Sequence, residues 1–255
     1  MKNVITSVMP DSIAEEVGIE ENDILLSVNG EKIVDIIDYR FLTNDEEIVL
    51  EIQKPNGEIW DYEIEKDYGE ELGLEFGGGI MDKAKRCSNK CMFCFIDQNP
   101  KGMRESLYFK DDDSRLSFLQ GNFVTLTNMK EEDIDRIIKY RISPINISVH
   151  TTNPELRVKM LGNRFAGSVY DRIKRLAEAG IEMHCQIVLI PEVNNGEELK
   201  RTITELYELY PSVANVAVVP IGVTKYREGL VKVKTFNEET SRKELEMIME
   251  FQKRF

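Results

Sequence analysis

Four short runs rich in valine and isoleucine do most to limit what this chain can fold into. They read "NFVTLTN" (122–128), "PINISVH" (144–150), "EMHCQIVLI" (182–190) and "VANVAVVPI" (213–221). Near-continuous apolar runs of this kind suit strands covered on both faces, as in a parallel sheet. Helical patterns separate them. Ile134, Ile137 and Ile138 share one face. So do Val169, Ile173, Leu176 and Ala177, in a helix closed by Gly180. Leu199, Ile203 and Leu206 make a third, and a last helix is predicted over residues 237–253, carrying Leu245, Ile248 and Met249. A weaker strand, "GIMDKAK" (79–85), precedes the series. Repeated strand–helix units with right-handed crossovers give an α/β sheet or barrel.

The first 76 residues read differently. They carry 21 acidic and 5 basic residues, a net of −16, while residues 77–255 sum to +3. Such acidity disfavours nucleic acid as a partner of the first part and leaves the question open for the rest. The charge shift and the glycine run "FGGG" (Phe76 to Gly79) place a domain boundary there, giving domains 1–76 and 77–255. "NVITSV" (3–8) alternates as a half-buried strand does. "DSIAEEVG" is a small helix capped by Asp11 or Ser12 and stopped at Gly18. "DILLSVNG" (23–30) is a strand ending in the turn Asn29-Gly30, and residues 47–65 form a hairpin around Pro55-Asn56-Gly57.

The stretch "VMPDSIAEEVGIEENDILLSVNG" (8–30) resembles a bacterial PDZ domain, with Asn22 where the family often has Gly. The resemblance implies a small, mostly-β domain that takes an extended peptide C-terminus by adding it to a sheet edge. The family's Gly-flanked carboxylate-binding loop does not precede Val4. "LGLEF" (72–76) either supplies it in permuted order or only links the domains.

At 255 residues, 42% hydrophobic and 31% charged, the chain has enough material for two cores. No apolar run approaches the ~18–20 residues of a membrane span. The start lacks the apolar stretch and cleavage site of a signal peptide. The expectation is a cytoplasmic protein with reduced thiols and no membrane partner.

Three of the four cysteines stand together in "RCSNKCMFCF" (86–95). An oxidised scaffold would use cysteine more evenly, and structural zinc favours paired sets. Cys185 lies far downstream in a predicted strand. A cubane iron–sulfur cluster normally takes four thiolates, so three would leave one iron open. The motif C-x3-C-x-aromatic-C in "CSNKCMFC" (87–94), followed by the strand–helix series, resembles the radical S-adenosylmethionine (SAM) enzymes. "INISVHTTNPELRVKMLGN" (145–163) and "AGIEMHCQIVLIPEVNNGEEL" (179–199) look like the molybdopterin-synthesis and nitrogenase-cofactor branch. A PDZ-like module ahead of such a domain also resembles a bacterial group of Fe–S oxidoreductase-like proteins with a further C-terminal domain. The charged end "FQKRF" leaves open that this chain is a fragment.

That resemblance implies a partial (β/α)6 barrel. It implies a [4Fe–4S] cluster on Cys87, Cys91 and Cys94, and SAM chelating the open iron. An external electron donor would drive cleavage of SAM to a 5′-deoxyadenosyl radical that takes hydrogen from an unknown substrate. Phe93 would pack on the SAM adenine. The family's Gly-Gly-Glu, which holds the SAM amino group, is missing from "FVTLTNM" (123–129), where Thr127 and Asn128 offer a hydroxyl and an amide. Ser148 and Gln186 would reach SAM from strand ends. For each of these the alternative is an interior polar group satisfied by backbone. His150 shares a face with Ser148 and is a candidate acid or donor near the substrate.

Cys185 reads as a small buried apolar residue, with His184 on the opposite face. "KDDDSR" (110–115) reads as a helix cap with solvated charge, or as a site for a metal or substrate amine. Lys101, Arg104, Lys225 and Arg227 are candidates for substrate contact or plain surface. Two readings of other classes stay open. One is a peptide-binding adaptor with a structural cluster or zinc. The other is a zinc enzyme using His150 or His184.

Overall fold

A computed structural model describes residues 3–255. The chain divides into two compact units, Met1–Ala84 and Lys85–Phe255. The division falls at Ala84, past the glycine run, rather than at Phe76.

The first unit contains β1 (Ile5–Val8), α1 (Ile13–Glu16), β2 (Ile24–Val28), β3 (Glu31–Lys32), α2 (Ile36–Leu42), β4 (Glu47–Gln53), β5 (Ile59–Glu65) and β6 (Leu74–Phe76). One antiparallel sheet runs β3-β2-β4-β5, and β1 pairs with β6. Ser12 caps α1, accepting from the Glu15 N–H at 3.3 Å. Asn29 and Gly30 sit at φ 51° and 75°, the left-handed pair that a two-residue hairpin between β2 and β3 requires. Alternation along β4 buries Ile48, Leu50 and Ile52, the last two paired in register with Val28 and Leu25 of β2. Helix α2 is absent from the sequence reading. Asp35 starts it by accepting from the Ile37 N–H at 2.9 Å.

The second unit contains α3 (Ser114–Gln120), α4 (Glu131–Lys139), β7 (Ile145–Ser148), α5 (Pro154–Leu161), α6 (Val169–Glu178), β8 (Met183–Leu189), α7 (Glu197–Tyr207), β9 (Val213–Pro220) and α8 (Glu238–Arg254). Strands β7, β8 and β9 form a parallel sheet in that order. Ile145, Ile147, Met183, Cys185 and Ile187 are fully buried in it. Residues 122–128 join only at Val124, which bridges to Ile147 in parallel. Leu126 then turns left-handed at φ 60° and ends the pairing. Residues 79–85 form no strand, though Arg86 bridges to Asp111. The class is therefore α/β behind a small mostly-β unit, with three regular parallel strands and one bridged segment among the described residues. No described helix is long and apolar enough to cross a membrane.

Candidate active site

The three cysteines lie on a loop without regular structure, so its shape comes from the backbone bonds that hold it. The Cys87 N–H donates to the Lys110 carbonyl at 2.9 Å. The Lys90 and Met92 N–H groups donate to Leu161 and Met160 at 2.8 and 3.0 Å. The end of α5 is thus the shelf on which the loop rests. Gly162 ends that helix at φ 57°, and a Cβ there would stand 2.9 Å from the Lys90 carbonyl oxygen. Only glycine gives both the left-handed cap and the close approach.

Beside the loop opens a cavity of about 610 Å³. Cys87, Cys91, Cys94 and Phe93 form one wall. The carboxyl ends of the parallel strands form the other, with Ser148 ending β7 and His150 just beyond it, Gln186 and Val188 from β8, and Val219 from β9. Sites in α/β sheets sit at this end. All three thiols are free and half-buried, while Cys185 is fully buried in β8 and does not line the cavity. The Phe93 ring lies 4.4 Å from the His150 ring, tilted by 55°.

Two expected residues are elsewhere. Thr127 is buried and donates to Asn89 Oδ1 at 2.9 Å. It lines a smaller cavity of about 270 Å³ with Arg164 and Arg172. Asn128 donates to the Arg86 carbonyl at 3.1 Å. Both were expected at the strand end where the family's Gly-Gly-Glu would stand; the backbone turns left-handed at Leu126, just before them. Thr125, before that turn, is the threonine on the cavity wall.

The run 110–115 divides into separate roles. Lys110 lines the cavity; despite burial that favours its neutral form, Asp97 at 2.5 Å and Cys94 hold it charged. Asp111 also lines the cavity and accepts from Asn122 at 3.0 Å. Asp112 is buried and accepts from the Thr125 N–H and hydroxyl at 2.7 and 2.6 Å. Asp113 caps α3 and pairs with Arg115 at 2.7 Å. Lys101, Arg104 and Lys225 are exposed. Arg227 donates to the Met92 and Val231 carbonyls. His184 pairs with Glu182 at 3.1 Å and is not on the cavity wall.

The loop's surroundings hold two groups that the sequence reading passed over. Asn89 is buried, with its amide nitrogen 3.3 Å from Cys87 Sγ. Arg157, fully buried on α5, donates to four backbone carbonyls, those of Val149, Ala166, Thr125 and Ser148, at 2.6–2.9 Å. Burial brings its pKa down to about 9, against the pull of Cys91 and Asp112. Burial also pushes the Cys91 thiol up to about 12, reinforced by Cys87 and Cys94, and raises Cys87 as well.

His150 is neutral. Burial, then Arg157, holds its pKa well below the ordinary 6.5, and its Nδ1 accepts from the Val188 N–H at 3.1 Å. As pH falls below 6.5 the unfolded chain binds this proton before the folded chain does. Stability is complete above that value and drops below it by up to ~1.4 kcal/mol per pH unit. Urea unfolding at about pH 7 and about pH 5 should show a steeper loss in the wild-type chain than in His150→Gln. Equal losses would contradict the neutral assignment.

Among the described residues, no three His, Cys, Asp or Glu side chains converge as a single metal ion requires. A cubane differs, since each thiolate meets its own iron. The donor set fits one: three thiols of soft-ligand type on one cavity wall.

The first unit has its own groove, about 410 Å³, between α2 and residues 69–75. Ile36, Tyr39 and Thr43 line one side, and Leu72, Gly73 and Leu74 the other. "LGLEF" is therefore part of a groove wall as well as a strand. Its Gly73, at φ 80°, would place a Cβ 2.3 Å from Ser12 Cβ.

Residues 4–54 match the family model described as a PDZ domain. No curated protein gives a match. Solved structures similar to the chain include Streptococcus suis SuiB, at 14% identity and TM-score 0.41, covering 52% of this chain and 29% of that one. A radical SAM methyltransferase from Sphaerobacter thermophilus is 14% identical with TM-score 0.37, covering 80% of this chain and 70% of that one. The chain thus spans less than a third of SuiB. Residues 66–216, more than half the chain and including all three loop cysteines, match the model described as a radical SAM-like domain, and the chain belongs to that family.

Proposed function

We propose that the second unit is a radical SAM enzyme that holds a [4Fe–4S] cluster on Cys87, Cys91 and Cys94, with SAM beside it. Bound there, the cluster would pass one electron from an external donor to SAM, yielding methionine and a 5′-deoxyadenosyl radical that takes a hydrogen atom from a substrate. The observation that carries this reading is one cavity lined by three thiols, with the fourth cysteine elsewhere. Three thiolates leave one coordination position for a second molecule.

The chain's own residues would then do the following. Asp111 offers the only carboxylate among the cavity's lining residues for an amino group, in place of the missing Gly-Gly-Glu. Thr125, Ser148 and Gln186 offer hydroxyl and amide partners. Phe93, backed by His150, offers an apolar face for the adenine. Val188 and Val219 exclude water from the far wall. The groove of the first unit would take an extended peptide end along β6, whose second edge is unpaired among the described residues.

The test is anaerobic reconstitution with iron and sulfide, reduction, and addition of SAM. Formation of 5′-deoxyadenosine is expected. A loaded, reduced protein that leaves SAM intact yet binds free peptide C-termini would favour the peptide-binding adaptor instead.

A further inference from the structure

The loop's cysteines differ in what surrounds them, and Cys87 carries a directed donor. Asn89 uses its whole side chain in the interior. Its Nδ2 lies 3.3 Å from Cys87 Sγ and 2.9 Å from Thr125 Oγ1. Its Oδ1 accepts from Thr127 Oγ1 at 2.9 Å and from Asn163 Nδ2 at 2.6 Å. The polarity of this network is fixed from behind. Asp112 accepts the Thr125 hydroxyl proton at 2.6 Å, so the Thr125 oxygen must accept from Asn89. Asn163 can only donate to the Asn89 carbonyl oxygen. The remaining amide N–H of Asn89 is therefore held on the sulfur, and the reverse orientation would set acceptor against acceptor.

We infer that Asn89 is a positioning residue that donates to the Cys87 thiolate and raises the reduction potential of a cluster held there. The inference rests on the cluster reading above. The step concerned is the uptake of one electron from an external reductant, with no bond made or broken. Negative charge on the ligand sulfurs grows in the reduced form. An N–H aimed at one of them stabilises that form more than the oxidised one. Thr125 and Thr127 hold the amide at its two ends, and Asp112 sets the direction of the proton chain.

The experiment is a redox titration of the reconstituted full-length chain, followed by electron paramagnetic resonance, with iron content measured in parallel. Asn89→Ala, which removes the donor, should keep its iron and shift the midpoint to more negative potential. Asn89→Asp, which sets an acceptor on the sulfur, should shift it further. Asn163→Ala disturbs the network on its oxygen side and leaves the donor, so its midpoint should stay at the wild-type value. Unchanged midpoints in both Asn89 variants would overturn the inference. So would equal loss of iron in Asn89→Ala and Asn163→Ala, which marks a packing role alone. A wild-type chain that takes up no cluster would overturn the cluster reading itself, and this inference with it.

Discussion

Cys91→Ala protein, reconstituted without oxygen, is expected to hold iron at background level and to lack the broad visible absorbance of an iron–sulfur chromophore. Cys87→Ala and Cys94→Ala should behave alike, because each thiolate serves its own iron and two ligands from one loop do not retain a cubane. Cys185→Ala should load as the wild type does. That thiol is fully buried in β8, pushed up to about 12 by burial alone. Burial raises Cys87 and Cys91 as well, so these two loop thiols hold their protons when no metal is present. Loading must then release protons and weaken as pH falls. Lys110 and Arg157 are the cations that temper this cost at Cys91. Equal iron in Cys91→Ala and wild type would remove the cluster from the proposal.

How much of this was legible in sequence depended on whether a signal was local. The spacing of Cys87, Cys91 and Cys94 is contiguous, and so is the Asn29-Gly30 turn; both read directly. Strands β7, β8 and β9 declared themselves through apolar runs, and α6 through its single apolar face. Helix α5 did not, because it buries Arg157 together with Met160 and Leu161, so charge and burial coincide on one face. Thr127 and Asn128, expected near SAM from their place in the family's pattern, do not line the cavity, since the backbone turns left-handed at Leu126 just before them. Asn89 and Arg157 gave no signal, and Asp112 read only as one of a charged run, since a buried polar residue is defined by its partners. Theirs lie in other segments: Thr125 and Thr127 for Asn89, Thr125 for Asp112, Ala166 and Ser148 for Arg157. A cap or a turn is written within a few residues, whereas these contacts exist only after the segments meet.

Arg157→Ala should be the most damaging single change outside the cysteines. The guanidinium is among the largest fully buried side chains, and its four carbonyl partners belong to three different segments. Ser148 ends β7 and Val149 follows it, Thr125 sits beside the bridged residue Val124, and Ala166 precedes α6. Truncation takes the guanidinium from four carbonyls; that of Val149 still accepts from the Thr151 N–H at 2.8 Å, and each carbonyl left with no donor costs about 1–3 kcal/mol where water cannot replace it. Partial relaxation and water entry recover some of that, so a net loss of roughly 3–5 kcal/mol is expected. Arg157→Lys keeps the charge, but one ammonium cannot span the fork, and it should lose less. Trp60, the only tryptophan, lies in the first unit, so its fluorescence is a poor reporter of this change. Hydrogen exchange is a direct one. The Val124 and Ser148 amides donate to Asn146 and Val124 carbonyls at 2.9 and 2.8 Å, and both should exchange much faster in Arg157→Ala. Wild-type protection at these two amides would show that the segments hold together without the guanidinium. The sheet edge that carries Thr125 and Ser148 to the cavity would then owe its position to the strand pairing alone.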